Sequence, residues 1–112
     1  MNNMLDLNKS GIYIVSPKGK RFRPLDLDPR RIKIVARVNE EYIKFGKSER
    51  PLKNRYKDYK KIFGDCVRFH PILIIEDILF LREFEKYLSH QFTDYKISNP
   101  GSNRKLEWMT NI

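Results

Sequence analysis

Four side chains in this sequence carry groups that act on phosphodiesters, and each stands where an apolar residue would be expected. Tyr13 interrupts the aliphatic strand segment GIYIV at 11–15, and Lys44 lies inside YIKFGKS at 42–48. Arg55 borders the apolar stripe of one predicted helix, and Glu85 falls inside the apolar arc of another. On one concave surface, these groups would supply a base, charge stabilisers and a metal ligand.

Each of these side chains also has a purely structural explanation. A carboxylate such as Glu85 within an apolar arc costs free energy unless it is paired, and a salt bridge at the helix edge would satisfy it. Arg55 could lie over the faces of neighbouring aromatic rings. Tyr13 could fill the core. Position in the sequence leaves both sets of explanations open.

The composition favours a polyanion partner for a single domain spanning residues 1–112. The chain has 23 Lys and Arg against 14 Asp and Glu, a formal net charge of +9. Nucleic acid is the first partner this suggests, and an anionic membrane the second. The single cysteine, Cys66, excludes an internal disulfide, and no zinc-site spacing is present. With no signal peptide and no apolar run long enough to span a bilayer, we expect a cytoplasmic protein, in a bacterial or an infected host cell.

Aliphatic and aromatic runs, bounded by turn residues, predict four strands. These strands lie at 11–15, 32–38, 41–46 and 67–75. Asn39-Glu40 would be the hairpin turn between the second and third strands, although it lacks the usual glycine. Pro71 marks the last strand as an edge strand or a bulge. Period-2 alternation places Tyr13 and Lys44 each on the polar face of its strand.

Two helices are predicted from apolar residues that recur at helical spacing. The first lies between Pro51 and Gly64, and its stripe consists of Leu52, Tyr56, Tyr59 and Phe63. The second begins after Asp77, a predicted N-cap, and runs to Phe92. We expect Trp108 to fix the tail to the core. The order β, ββ, α, β, α predicts an α/β sandwich with a small mixed or antiparallel sheet flanked by helices.

These residues resemble the motifs of the GIY-YIG nuclease family, in the family's order. Gly11-Ile12-Tyr13 matches the first motif, and Lys44-Phe45-Gly46 resembles the second with lysine in place of its first tyrosine. KSERPLKNRYKDY resembles the family's first helix, with its arginine at Arg55. EFEKYLSHQF resembles the second helix, with Glu85 at the position of the metal-binding glutamate.

The tail and the spacing add one similarity and one departure. LEW at 106–108 is similar to the endings of phage-type members, and either Asn103 or Asn99 would be the asparagine that closes the site. A long basic segment separates Tyr13 from Lys44, where the family has a short hairpin. Tyr42 could occupy the space of the missing tyrosine.

The resemblance implies hydrolysis of a DNA phosphodiester with one divalent cation, Mg²⁺ or Mn²⁺. Glu85 would hold the ion, which suits a single carboxylate completed by waters and phosphate oxygens. Arg55 would neutralise charge on the phosphate. Tyr13 or Lys44 would take the proton from water, after its pKa is lowered by the surrounding cations.

DNA contacts are expected in the basic loop of residues 16–31 and on the first helix. The candidate contacts are Lys18, Lys20, Arg21, Arg23, Lys53 and Lys57. Two alternatives stay open: a DNA-binding module of the same fold that has lost cleavage, and an unrelated basic α/β domain that binds RNA. Restriction, spread of a mobile element, repair and phage attack on host DNA all fit the sequence, as do a homodimer and a separate targeting partner.

Overall fold

The structure, a computed structural model, describes residues 6–24, 37–98 and 105–110. In chain order its strands are β1 (Gly11–Pro17), β2 (Arg23–Pro24), β3 (Arg37–Val38), β4 (Tyr42–Ser48), β5 (Val67–Ile74), β6 (Lys96–Ser98) and β7 (Lys105–Thr110). The helices are α1 (Leu52–Phe63) and α2 (Ile78–Gln91), and a short 3₁₀ turn spans Thr93–Tyr95. Five strands form one antiparallel sheet in the order β5-β1-β4-β7-β6, while β2 and β3 form a separate ribbon. The predicted α/β class with a small sheet and two helices is confirmed.

The prediction that the strands at 32–38 and 41–46 pair with each other as a hairpin is wrong. The Asn39 carbonyl does accept a hydrogen bond from the Tyr42 N–H, so a turn lies where it was expected. However, β3 pairs with β2, whereas β4 pairs with β1 and β7. The described part of the predicted strand is only Arg37–Val38, and residues 32–36 lie outside the described ranges. Apolar alternation identified β4 as a strand, but it carries no information about which strands lie beside it.

The edge position predicted from Pro71 is confirmed. β5 is an outer strand of the sheet and, among the described strands, pairs only with β1. Its register shifts at this proline, because Tyr13 lies opposite Pro71 while Ile12 lies opposite Leu73. Proline has no N–H to donate, and an edge strand with a bulge tolerates that loss.

The sheet has two faces with separate cores. Tyr13, Lys44 and Gly46 project to the side covered by α1, here called the α1 face, and the Tyr13 hydroxyl lies 2.9 Å from the Tyr59 hydroxyl. Because side chains alternate along a strand, Phe45 projects to the other side, the α2 face. There its ring lies 5.1 Å from that of Phe92.

Both helices begin and end as the sequence indicated. Pro51 precedes α1, and Gly64 ends it with a φ of 63°, the left-handed region that glycine adopts at no steric cost. Asp77 caps α2, since its side chain accepts a hydrogen bond from the Phe80 N–H at 3.2 Å. Trp108 is buried and its ring lies 6.0 Å from that of Phe63. This confirms the prediction that Trp108 fixes the tail to the core.

An ion pair ties α2 to the segment between β4 and α1. The Arg82 guanidinium donates two hydrogen bonds to the Glu49 carboxylate, at 3.0 and 2.8 Å, and Lys47 donates a third at 2.7 Å. These bonds lower the pKa of the Glu49 carboxyl to about 2. Within the described ranges, neither helix is long and apolar enough to cross a membrane.

Two motif glycines are required by close packing. A Cβ on Gly11 would overlap the Leu73 carbonyl oxygen of the neighbouring strand. A Cβ on Gly46 would overlap the Tyr13 hydroxyl, because the phenol lies directly over this residue. The glycine of the second motif therefore makes room for the tyrosine of the first.

Gly46→Ala should lower the free energy of unfolding by about 1–3 kcal/mol, the usual cost of overpacking a filled core. Tyr13→Ala removes the overlapping group, so the double variant should lose less stability than the two single variants together. Urea denaturation of all four proteins measures this coupling. Strictly additive losses would contradict the packing of Tyr13 on Gly46.

Candidate functional site

Tyr13 is a core residue. Only 2% of its surface is exposed, its ring stacks on Phe69 at 4.8 Å, and its hydroxyl is hydrogen-bonded to Tyr59. The expectation that Tyr13 would project toward a phosphate rather than fill the core is therefore wrong for this conformation. The polar face of β1 is buried because α1 lies across it, which the alternation in the strand did not reveal.

The surroundings of Tyr13 keep its phenol protonated. Burial raises the pKa of Tyr13 well above its usual range, and Tyr59 adds to the shift. Lys44 and Arg55 act in the opposite direction but are outweighed. Lys44 and Arg55 alone therefore do not bring this pKa down to the neutral range, because removal of the phenolate from water costs more free energy than the two cations supply.

Lys44 and Arg55 both lie near this tyrosine pair. The Lys44 ammonium lies 5.7 Å from the centre of the Tyr59 ring, a cation–π contact. Arg55 lies one helical turn before Tyr59 on α1. Both cations are close enough to Tyr13 to influence its pKa. Three of the four predicted residues thus meet on the α1 face.

These two cations have incomplete partners within the described part of the chain. Lys44 has no carboxylate within ion-pair distance there. Arg55 approaches Asp58 at 4.0 Å, at the limit of an ion pair, and its Nε is buried without a hydrogen-bond acceptor. Asp58 is shared with Arg50, at 3.7 Å. The site therefore retains unused capacity to bind an anion.

Glu85 lies on the other side of the sheet. It is half-buried on the inward arc of α2, as its helical position predicted. It lines a small pocket on the α2 face with Phe45, Ser89, Phe92, Lys96 and Met109. The predicted convergence of Glu85 with the α1-face residues is wrong, because the sheet stands between α1 and α2.

The residues present do not fit the implied divalent cation. Glu85 is surrounded by aromatic and apolar side chains and by the ammonium of Lys96, which donates to the Ser89 hydroxyl. Glu85 would have to bind Mg²⁺ as the single carboxylate, with waters and phosphate oxygens completing the shell, and a neighbouring ammonium repels the ion. The described residues contain no group of three or more potential metal-binding side chains. On the α1 face, the carboxylate beside Arg55 is Asp58, which lies between two arginines.

The other predicted residues are distributed around the α1 face. Tyr42 is half-buried near the end of the sheet, and its ring lies 6.1 Å from that of Phe22. The predicted DNA contacts are exposed except for Arg23, which is half-buried: Lys18, Lys20, Arg21, Arg23, Lys53 and Lys57. Both asparagines proposed to close the site, Asn99 and Asn103, lie outside the described residues.

Tyr59 is the site residue that sequence reasoning missed. Its place in an apolar stripe suggested only packing, and its ring is indeed buried. Its hydroxyl, however, is the partner of the Tyr13 hydroxyl. The sequence did contain a sign of this role, because the stripe has a tyrosine at position 59 where a phenylalanine would pack as well. A buried phenol needs a hydrogen-bond partner.

The chain has no match among protein-family models, curated proteins or solved structures. Its likeness to the GIY-YIG motifs therefore depends only on the residues quoted above. The geometry of the site itself consists of two cations near a buried tyrosine pair.

Tyr13→Phe should cost about 1 kcal/mol at neutral pH, because it removes a buried hydrogen bond. Above pH ~10 an unfolded phenol loses its proton whereas Tyr13 in the folded protein keeps it, so wild-type stability should fall as pH rises. The variant should lose less stability over that range. Denaturation at a series of alkaline pH values measures the difference, with Tyr87→Phe as the exposed control; parallel curves for Tyr13→Phe and wild type would contradict a raised pKa.

Proposed function

We propose that this chain binds DNA along the α1 face, with Lys44 and Arg55 together holding a backbone phosphate. The observation that carries this proposal is the pair of cations beside Tyr13 and Tyr59, both lacking complete partners in the described part of the chain. The Arg55 side chain is 39% exposed, so its guanidinium can donate to a phosphate that approaches from solvent. Charge-assisted hydrogen bonds of this kind are among the stronger ones in proteins.

The buried tyrosine pair supports this proposal by holding the cations in place. The Lys44 ammonium lies over the Tyr59 ring, and Arg55 lies one helical turn before Tyr59. Its own position is set by the hydrogen bond to Tyr13. A phosphate would therefore meet a site whose geometry exists before binding, so less conformational entropy is lost.

Exposed basic residues extend the surface around this site. Lys53 and Lys57 are exposed on α1, and the segment after β1 adds Lys18, Lys20 and Arg21. The Phe22 ring contacts Tyr42, which places that segment beside the α1 face. The whole chain carries a net charge of +9, and these exposed cations suit the phosphates of a duplex. Release of counterions from the DNA would supply much of the affinity.

A second candidate is the cleavage of DNA by a metal-dependent endonuclease. The observation in its favour is that Tyr13, Lys44 and Arg55 meet on one face, as in the family the motifs resemble. Against it are the protonated phenol and the position of Glu85 behind the sheet. Binding without cleavage is therefore the function that the geometry supports best.

Lys44→Met combined with Arg55→Gln should weaken binding of a short duplex. It should also make binding less dependent on salt: the slope of log binding constant against log salt concentration should fall in magnitude by about 0.9 for each phosphate that the protein no longer neutralises. Lys47→Met, compared with Lys44→Met alone, is the matched control, because each change removes one charge from the same strand, on opposite faces of the sheet. Fluorescence anisotropy across a salt series measures both. Equal effects of the two changes would contradict a site on the α1 face.

Incubation of supercoiled plasmid with the wild-type protein and Mg²⁺ or Mn²⁺ should leave the plasmid intact, while a gel shift under the same conditions shows binding. Glu85→Gln serves as the paired variant. Nicking by the wild type that is abolished in Glu85→Gln would establish the endonuclease instead. Binding of a single-stranded RNA in preference to the duplex would contradict the choice of DNA.

A further inference from the structure

The outer surface of α2 is unusually apolar for a solvent-facing helix. Leu79, Phe80 and Tyr87 are 72%, 55% and 59% exposed. The rings form a chain, with Phe80 at 6.0 Å from Phe84 and Phe84 at 6.5 Å from Tyr87. A row of large apolar residues on the exposed side of one helix is typical of a surface that contacts another protein.

The charge around this row distinguishes it from the rest of the molecule. Between residues 76 and 91 the acidic residues are Glu76, Asp77, Glu83 and Glu85, and the basic residues other than His90 are Arg82 and Lys86. Acids therefore outnumber bases here, although the chain as a whole carries +9. Two copies of such a basic chain repel each other least where they meet through this helix, and a polyanion is least attracted to it.

The neighbouring edge of the sheet does not offer an equivalent contact. β5 is an outer strand, but Pro71 lacks an N–H and the register shift at this point bends the strand. Features of this kind prevent strands of two molecules from pairing. The exposed row on α2 is therefore better suited than the β5 edge to contact a second molecule.

We propose that α2 pairs with α2 of a second copy of this chain, antiparallel and centred near Phe84. This arrangement places Phe80 of each copy near Tyr87 of the other. It also places Glu83 of each copy near Lys86 of the other, since both lie on the same flank of the helix, one and two residues from the centre. The surface is thus self-complementary in both apolar contact and charge, as a two-fold interface requires.

The wild-type protein should sediment as a mixture of monomer and dimer that shifts with concentration, in a buffer whose salt screens the net charge. Phe80→Ser combined with Tyr87→Ser should be monomeric at all concentrations tested and keep its circular dichroism spectrum, since both side chains are exposed. Phe22→Ser, which removes an exposed ring elsewhere, should behave as wild type. A monomeric wild type, or a dimer that survives the double change, would overturn the proposal.

Charge reversal tests the antiparallel arrangement directly. Glu83→Lys and Lys86→Glu should each weaken dimerisation about tenfold, because each places like charges opposite one another at two symmetry-related positions. The chain carrying both reversals should regain wild-type dimerisation, since the opposite charges face each other again. Failure of this double reversal to restore the dimer would overturn the proposed arrangement. Sedimentation is measured without DNA, so the outcome is independent of nucleic-acid binding.

Discussion

The buried hydrogen bond between Tyr13 and Tyr59 is the interaction on which the site depends. It joins β1, an inner strand of the sheet, to α1 within the larger core, and the phenol fits there because Gly46 has no side chain. Its consequence is that α1 is held in place over β1. Lys44 and Arg55 are thereby both held near the buried pair.

The sheet divides the molecule into two surfaces of different chemistry. The α1 face carries cations with incomplete partners, which suits the phosphates of a nucleic acid. The α2 face carries Glu85 within an apolar pocket and, on the outside of α2, a row of aromatic rings. Because of this separation, Glu85 does not meet the other motif residues, although each occupies its expected element.

Local features of the fold were predictable, and the relative placement of elements was not. Gly64 and Asp77 mark helix ends through backbone chemistry that acts within a few residues, and Pro71 marks an edge for the same reason. Helical periodicity correctly placed Glu85 on the inward arc of α2. It could not indicate which face of the sheet that arc would cover, because either face of β1 and β4 offers a surface for packing. The tail strands β6 and β7 were missed because short strands lack a clear period.

The separation of the two faces can be measured directly by lysine-reactive labelling of the protein with and without a DNA duplex, read out by mass spectrometry. The proposed function predicts that DNA protects Lys44, Lys53 and Lys57, whereas Lys47 and Lys86 on the α2 side react at unchanged rates. Protection of Lys86 together with unchanged labelling of Lys44 would contradict the account, because it would place the nucleic acid on the other side of the sheet.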